Sequence, residues 1–179
     1  MWKRFFNSMR QLNKKEVKKK YKEFPKRDKE IVVVLENIEY ARNVASIFRT
    51  AEAAGVRKLF LTGISKTPPF GKEMRQVSRN KEVSLEWEYQ DNTSEVIKKL
   101  QKQGFYVCAI ELTDTSVTLA NLNKALIGKN KVAFVAGSEV FGIKKSTLEH
   151  CEMGVEIPMF GKMSSLNVSV SVGIVLFSF

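Results

Sequence analysis

Five consecutive apolar residues, Ile31-Val32-Val33-Val34-Leu35, constrain this chain more than any other feature. Side chains alternate across a strand, so an unbroken β-branched run is hydrophobic on both faces and must be covered on both. The next segment changes period. From Asn43, the residues Val44, Ile47, Phe48, Ala51 and Ala54 share one helical face, and Gly55 closes it. The same pairing of apolar run and helical segment recurs to the end of the chain. This predicts an α/β fold, a mostly parallel sheet covered by helices on both faces.

Further strands are predicted at Lys58–Thr62, Val83–Tyr89, Phe105–Leu112, Lys131–Ala136 and Val155–Pro158. Further helices are predicted at Ser94–Gln103, with Val96, Ile97 and Leu100 inward, at Lys144–His150 and at Val168–Phe179. Leu119–Leu126 reads as a weak helix or turn. A Pro- and Gly-containing loop over Ser65–Lys72 leads into a short helix, Lys72–Arg79, that carries Lys72, Arg75 and Arg79. Ligands on such sheets bind beyond the carboxyl ends of the strands. Those ends carry Glu36–Asn43, Glu111–Asp114, Gly137–Gly142 and Pro158–Asn167.

At 179 residues the chain suits one domain with a real core. Its net charge of +11 points to an anionic partner, nucleic acid before membrane surface. Residues 1–30 hold twelve basic and four acidic side chains, a surplus of eight out of that eleven. They read as a basic, helical, RNA-contacting extension ahead of a domain over 31–179. Trp2, Phe5, Phe6, Met9 and Leu12 fall at helical spacing. Such a face either lies on a membrane surface or packs on the domain with the basic side toward phosphate, and the basic run continuing through Lys29 favours the second. Cys108 and Cys151 lack metal-ligand spacing, which predicts no metal and reduced thiols in a cytoplasmic protein. No stretch is long enough to span a membrane or to serve as a secretion signal.

The glycines exclude two nucleotide-binding fingerprints. No G-x-G-x-x-G follows the first strand, and no G-x-x-x-x-G-K-S/T occurs. His150 ends a helix and reads as structural. Three polar groups remain at strand ends. Asn43 and Arg49 lie six residues apart, about 120° around a helix, so Arg49 must reach back along the axis. Taken alone, Asn43 caps the helix and Arg49 pairs with a nearby acid. Gly137-Ser138-Glu139-Val140-Phe141-Gly142 forms a turn after an apolar strand, where Ser138 and Glu139 by themselves would cap the next helix. In the stretch 157–170, Gly161 permits a turn, and Ser164, Ser165 and Asn167 stand where a helix begins. A turn of this kind leaves backbone N–H groups free for a ligand. Three such groups at one sheet edge favour function over local capping.

The windows Asn43–Ala51, Phe134–Ile143 and Ile157–Ser169 resemble, in order, the three motifs of the SpoU (TrmH-like) RNA ribose methyltransferases of the SPOUT superfamily. The resemblance runs from about Ile31 to Phe179. It implies a trefoil knot in the carboxyl-terminal region, S-adenosyl-L-methionine as cofactor, and a homodimer with the active site near the subunit interface. It further implies that backbone around Leu112, Gly137, Ile157 and Leu166 holds the cofactor. Arg49 is then the catalytic residue, supported by Asn43, Glu139, Ser165 and Asn167. The implied substrate is structured RNA, a tRNA loop guanosine first and rRNA second. A non-catalytic RNA-binding module on the same fold is the alternative.

A ribose 2′-hydroxyl must lose its proton as it attacks the methyl group. Arginine, with an ordinary pKa of roughly 12.5 or more, is a poor proton acceptor. The expected role of Arg49 is therefore to stabilise developing alkoxide and bind the adjacent phosphate. A shared proton network with Asn43 or Glu139 stays open.

Overall fold

Successive residues of the first strand feed two separate cores. Ile31, Val33 and Leu35 belong to one apolar cluster, Val32 and Val34 to another. The computed structural model, which describes residues 9–25 and 27–179, shows why. Seven strands form one sheet: β1 (Glu30–Glu36), β2 (Lys58–Thr62), β3 (Glu86–Gln90), β4 (Tyr106–Ile110), β5 (Val117–Thr118), β6 (Lys131–Ala136) and β7 (Met153–Glu156). Their order is β3-β2-β1-β6-β4-β7-β5, and every pairing is parallel.

On one face lie α2 (Ala41–Ala53) and α8 (Val168–Leu176). Val44, Ile47, Phe48 and Ala51 of α2, with Val172, Val175 and Leu176 of α8, cover Ile31, Val33 and Leu35. On the other face Val96, Ile97 and Leu100 of α5 (Thr93–Lys102) cover Val32, Val34 and Phe60. The short helices are α3 (Lys72–Ser78), α4 (Lys81–Ser84), α6 (Leu122–Ala125) and α7 (Lys145–Leu148). Sheet and coverage match the fold read from periodicity.

Several boundaries differ from the sequence reading. The segment Val83–Tyr89 is not one strand. Val83, Leu85, Trp87 and Tyr89 alternate as strand residues would, but the backbone turns through left-handed Arg79 and Asn80 into α4 first. The last strand starts at Met153 and stops at Glu156, two residues before Pro158. Gly154 within it is needed because a Cβ there would meet Thr113 Oγ1 at 2.7 Å. The helix after β1 begins at Ala41, so Asn43 lies inside its first turn instead of capping it. Strand β5, two residues long, gives no periodic signal.

The amino-terminal extension contains α1 (Lys14–Lys22), with a capping box in which Asn13 accepts from Lys15 and Glu16 amides while Glu16 accepts from the Asn13 amide. None of its residues is buried. Trp2, Phe5 and Phe6 lie outside the described residues, so the aromatic-face expectation there is untested; Met9 and Leu12 are exposed. Two cations of the run are structural. Lys29 Nζ donates to Leu126 O (2.9 Å) and Lys129 O (2.8 Å), and the Arg27 guanidinium donates to Leu176 O, the last carbonyl of α8, and stacks over Phe179. Arg27 thus meets a carbonyl that the end of α8 leaves without a backbone partner, and Lys29 ties down the turn after α6, where Leu126 O also accepts from Lys129 N.

Candidate active site

The parallel order β6-β4-β7 sets three carboxyl ends side by side. Loops beginning at Glu111, Gly137 and Ile157 leave the sheet there, and β1 next to β6 delivers the start of α2 to the same edge.

The loop after β6 is tightly closed. Ser138 N donates to Gly142 O (3.1 Å) and Gly142 N to Ser138 O (2.9 Å). Ser138 Oγ accepts from the amides of Val140 and Phe141, so it folds its own turn and does not cap a helix. Gly137 is required: a Cβ there would sit 2.3 Å from the Gly142 carbonyl carbon and 2.4 Å from Ile143 N. Glu111, at the end of β4, accepts from Ile143 N at 3.2 Å and fixes the far side of the turn.

This closure presents Glu139 to α2. Asn43 Nδ2 donates to Glu139 Oε1 at 2.6 Å, and Asn167 Nδ2 donates to Asn43 Oδ1 at 3.1 Å. Asn167 is the N-cap of α8, and its Oδ1 accepts from Ser169 N (2.9 Å) and Ser169 Oγ (2.6 Å). The direction of the chain follows from that cap. The Asn167 oxygen is taken by the helix end, so its NH2 turns to Asn43, and Asn43 in turn offers its own NH2 to the carboxylate. Glu139 Oε2 has no hydrogen-bond partner among the described residues.

Three of the five predicted catalytic-set residues are therefore joined directly: Asn43, Glu139 and Asn167. Arg49 is not. It is exposed on α2, about 9 Å along the axis from Asn43, and makes no hydrogen bond or ion pair among the described residues. The helix places it beside Thr50, the residue facing Gly173 of α8. Ser165 lies in the exposed loop before α8, likewise without a hydrogen bond among the described residues.

The four backbone positions expected around a cofactor divide by environment. Gly137 is buried, Ile157 packs at the border of the core, and Leu112 and Leu166 are exposed. Backbone amides of 157–166 donate no hydrogen bond among the described residues, so this segment offers free N–H groups beside apolar side chains. That combination suits a nucleoside with a polar amino-acid tail.

Sequence reasoning missed Glu36. Its carboxylate, 1% exposed, accepts from Lys144 N (2.9 Å) and Thr147 Oγ1 (2.7 Å), tying the end of β1 to the start of α7. The available signal was an acid at the end of a fully apolar strand. Neither thiol is poised for chemistry: burial pushes Cys151 up to about 12 and Cys108 upward as well. Among the described residues no group of His, Cys, Asp and Glu is arranged to hold a metal ion, and no helix is long and apolar enough to cross a membrane.

Comparison with known proteins decides the family. The model of the SpoU rRNA methylase family matches residues 30–177. This chain belongs to that family. Among its SpoU relatives is the 23S rRNA (guanosine-2′-O-)-methyltransferase RlmB of Xylella fastidiosa, 31% identical over 148 residues, covering 82% of this chain and 57% of the relative. The tRNA (guanosine(18)-2′-O)-methyltransferase of Aquifex aeolicus is 28% identical over 155 residues, covering 85% of this chain and 69% of the relative. Among solved structures, the AdoMet-bound rRNA methyltransferase from Sinorhizobium meliloti superposes with a TM-score of 0.74 at 27% identity, over 83% of this chain and 55% of that one. The chain thus spans little more than half the length of the RlmB relatives it matches. All three SpoU motif windows lie inside the matched residues.

Proposed function

We propose that the protein transfers a methyl group from S-adenosyl-L-methionine to a ribose 2′-hydroxyl of structured RNA. The observation that carries this reading is the hydrogen-bonded chain Asn167–Asn43–Glu139 at the edge where β6, β4 and β7 end. Relatives named as guanosine 2′-O-methyltransferases of rRNA and of tRNA support the reaction, and the AdoMet-bound neighbour supports the cofactor. With both substrate kinds among the relatives, tRNA stays the first substrate to try and rRNA the second.

S-adenosyl-L-methionine, when bound, supplies an electrophilic methyl on a sulfonium. Backbone around Leu112, Gly137, Ile157 and Leu166 would hold it, and the apolar side chains there would exclude water from the adenosine. The Asn43 and Asn167 amides orient Glu139, whose second oxygen is unclaimed and can accept a hydrogen bond from the ribose. Arg49, permanently charged, stabilises the developing alkoxide and an adjacent phosphate. Ser165 lines the approach. Fixing hydroxyl and methyl in line supplies much of the acceleration.

The same reading includes a homodimer and a knotted carboxyl-terminal segment. Phe160 is 99% exposed and Phe141 85%; with Val140, Met163 and Val170 they concentrate on the motif loops and α8. Helix α8 carries only Ser169 and Ser171 as polar side chains and leaves Val170 exposed, which supports burial of that side against a second copy. The threading is supported by β7 entering the sheet between β4 and β5 while α8 returns to α2. We assign 1–30 to an RNA-contacting extension and 31–179 to the methyltransferase domain.

The deciding experiment incubates the purified chain with methyl-labelled S-adenosylmethionine and total tRNA or rRNA. Label in alkali-stable dinucleotides, lost in Arg49→Ala, is the expected result. Absence of label from every RNA, together with no S-adenosylmethionine binding by calorimetry, would leave only the RNA-binding alternative.

A further inference from the structure

A cavity lies away from the Asn43–Glu139 edge. It is an open cleft of about 840 Å³ between α3 and the turn into α4, lined by Phe70, Lys72, Arg75, Gln76, Arg79 and Asn80. Lys72 and Arg75 stand at i and i+3 on α3, and its left-handed C-cap Arg79 adds a third cation to the same lining. No acidic side chain lines it.

Two observations besides charge mark this place. Arg79 (φ 56°) and Asn80 (φ 58°) are consecutive left-handed residues, and a left-handed arginine is uncommon. The strain is held by its surroundings. Asn80 N donates to Arg75 O and Ser78 Oγ, the Ser78 hydroxyl donates to the buried Glu82 carboxylate, and Lys81 Nζ pairs with Glu52 Oε1 at 2.6 Å. Strain kept in this way concentrates at ligand clamps. Second, the cavity adjoins the flank that carries Arg49. Phe70 packs edge-on against Phe48 at 5.7 Å, and Glu52, which anchors Lys81, stands one helical turn from Arg49.

We propose that this cavity seats the phosphodiester backbone of the RNA substrate, beside the nucleotide presented to Arg49. The assignment rests on the RNA methyltransferase reading above. Cationic side chains set against phosphates supply affinity and position and carry no sequence information. An 840 Å³ space is larger than one phosphate requires and accommodates a nucleotide-sized length of strand. Arg75 Nε is already bound to Phe70 O at 3.0 Å, which fixes its guanidinium at the cavity wall and leaves its terminal nitrogens to the phosphate. Lys72 and Arg79 are exposed and complete the seat.

The test uses the full chain, tRNA and an rRNA transcript, and a series of salt concentrations. For Lys72→Ala/Arg79→Ala, RNA affinity at ~0.1 M salt should fall on the order of tenfold. The slope of log K against log salt should become shallower by about 1.4, two contacts at about 0.7 each. KM for RNA should rise with kcat held, and S-adenosylmethionine affinity should not change. Arg79→Gly separates contact from folding, because glycine accepts the left-handed backbone: its Tm should equal or exceed wild type while RNA affinity falls. RNA affinity within twofold of wild type in both variants, at an unchanged salt slope, overturns the cavity assignment and leaves the methyltransferase reading standing. Altered sedimentation with unaltered RNA affinity would make the surface a subunit contact and overturn it too. A wild-type chain that neither binds nor methylates RNA removes both, and is seen before any variant is made.

Discussion

Asn43 donates to Glu139 over 2.6 Å although 96 residues separate them in the chain. The bond joins the first turn of α2 to the loop after β6, and Asn167 holds Asn43 from the other side. Bonds to a charged acceptor contribute about 1.5–3 kcal/mol. Asn43→Ala and Glu139→Gln are each expected to lower methyl transfer by roughly 10- to 100-fold. Because they act as one unit, the double variant should be little worse than the poorer single one. Additive losses in a double-mutant cycle would show that the two side chains work independently.

Glu36 carries a stability prediction, not a chemical one. Glu36→Gln turns one acceptor into a donor facing either the Lys144 amide or the Thr147 hydroxyl. An unsatisfied buried donor of that kind costs about 1–3 kcal/mol. Urea unfolding should show that loss in the midpoint at an unchanged slope. RNA affinity of the folded fraction should stay at the wild-type value.

The cluster around Lys58 gives a pH dependence. Its ammonium lies 2.8 Å from both Glu86 and Glu88. Hydrogen bonding to Lys58, then to Gln90, holds the Glu88 carboxyl below the usual range. Partial burial opposes the charge on Lys58, but the two carboxylates raise it on balance. For Glu88 the folded pKa is depressed, so its stabilisation is present above the unfolded value of about 4.3 and is lost as pH falls through the folded one. For Lys58 the folded value is raised, so its contribution is complete below about 10.4 and is lost as pH rises through the folded value. Glu88→Gln should cost roughly 0.5–1 kcal/mol at pH 7 and flatten the acid limb of the Tm profile. An acid limb unchanged by the substitution would assign the dependence to other carboxylates.

Thiol labelling checks the core directly. Cys108 is fully buried, and burial holds Cys151 at about 12, so neither supplies thiolate near pH 8. An aromatic disulfide reagent should reach Cys108 only as fast as the protein opens, should react slowly with the part-exposed Cys151 in the native protein, and should react with both at once in urea. Rapid reaction of Cys108 in the native protein would contradict the packing of β4 between β6 and β7.

The amino-terminal extension needs a finer cut than its charge suggested. Arg27 and Lys29 hold helix-end carbonyls, so removing all of 1–30 would damage the body as well as the basic segment. Deletion of 1–24 leaves them in place. It should weaken RNA binding and flatten its salt slope, with cofactor affinity unchanged. Unaltered RNA affinity after that deletion would remove α1 from the RNA surface.

The order of elements was written locally. The apolar run at 31–35 and the helical periods at 44–54 and 96–100 each constrain a few neighbouring residues, which is enough to predict strands, helices and a parallel sheet. The motif windows around Asn43, Glu139 and Asn167 were legible for the same reason, being short and contiguous. Where local pattern and backbone disagreed, tertiary contact had decided. The alternation of Val83, Leu85, Trp87 and Tyr89 gave way to the turn at Arg79 and Asn80, and Gly154 became a strand residue because Thr113 and Ser116 fill the space a side chain would need. Only the strand order could bring residues 43, 139 and 167 within hydrogen-bond reach, bury the Glu36 carboxylate under α7, and turn Arg27 and Lys29 from spare charge into ties at helix ends. Periodicity records which face of an element is apolar; it does not record which other element that face will meet.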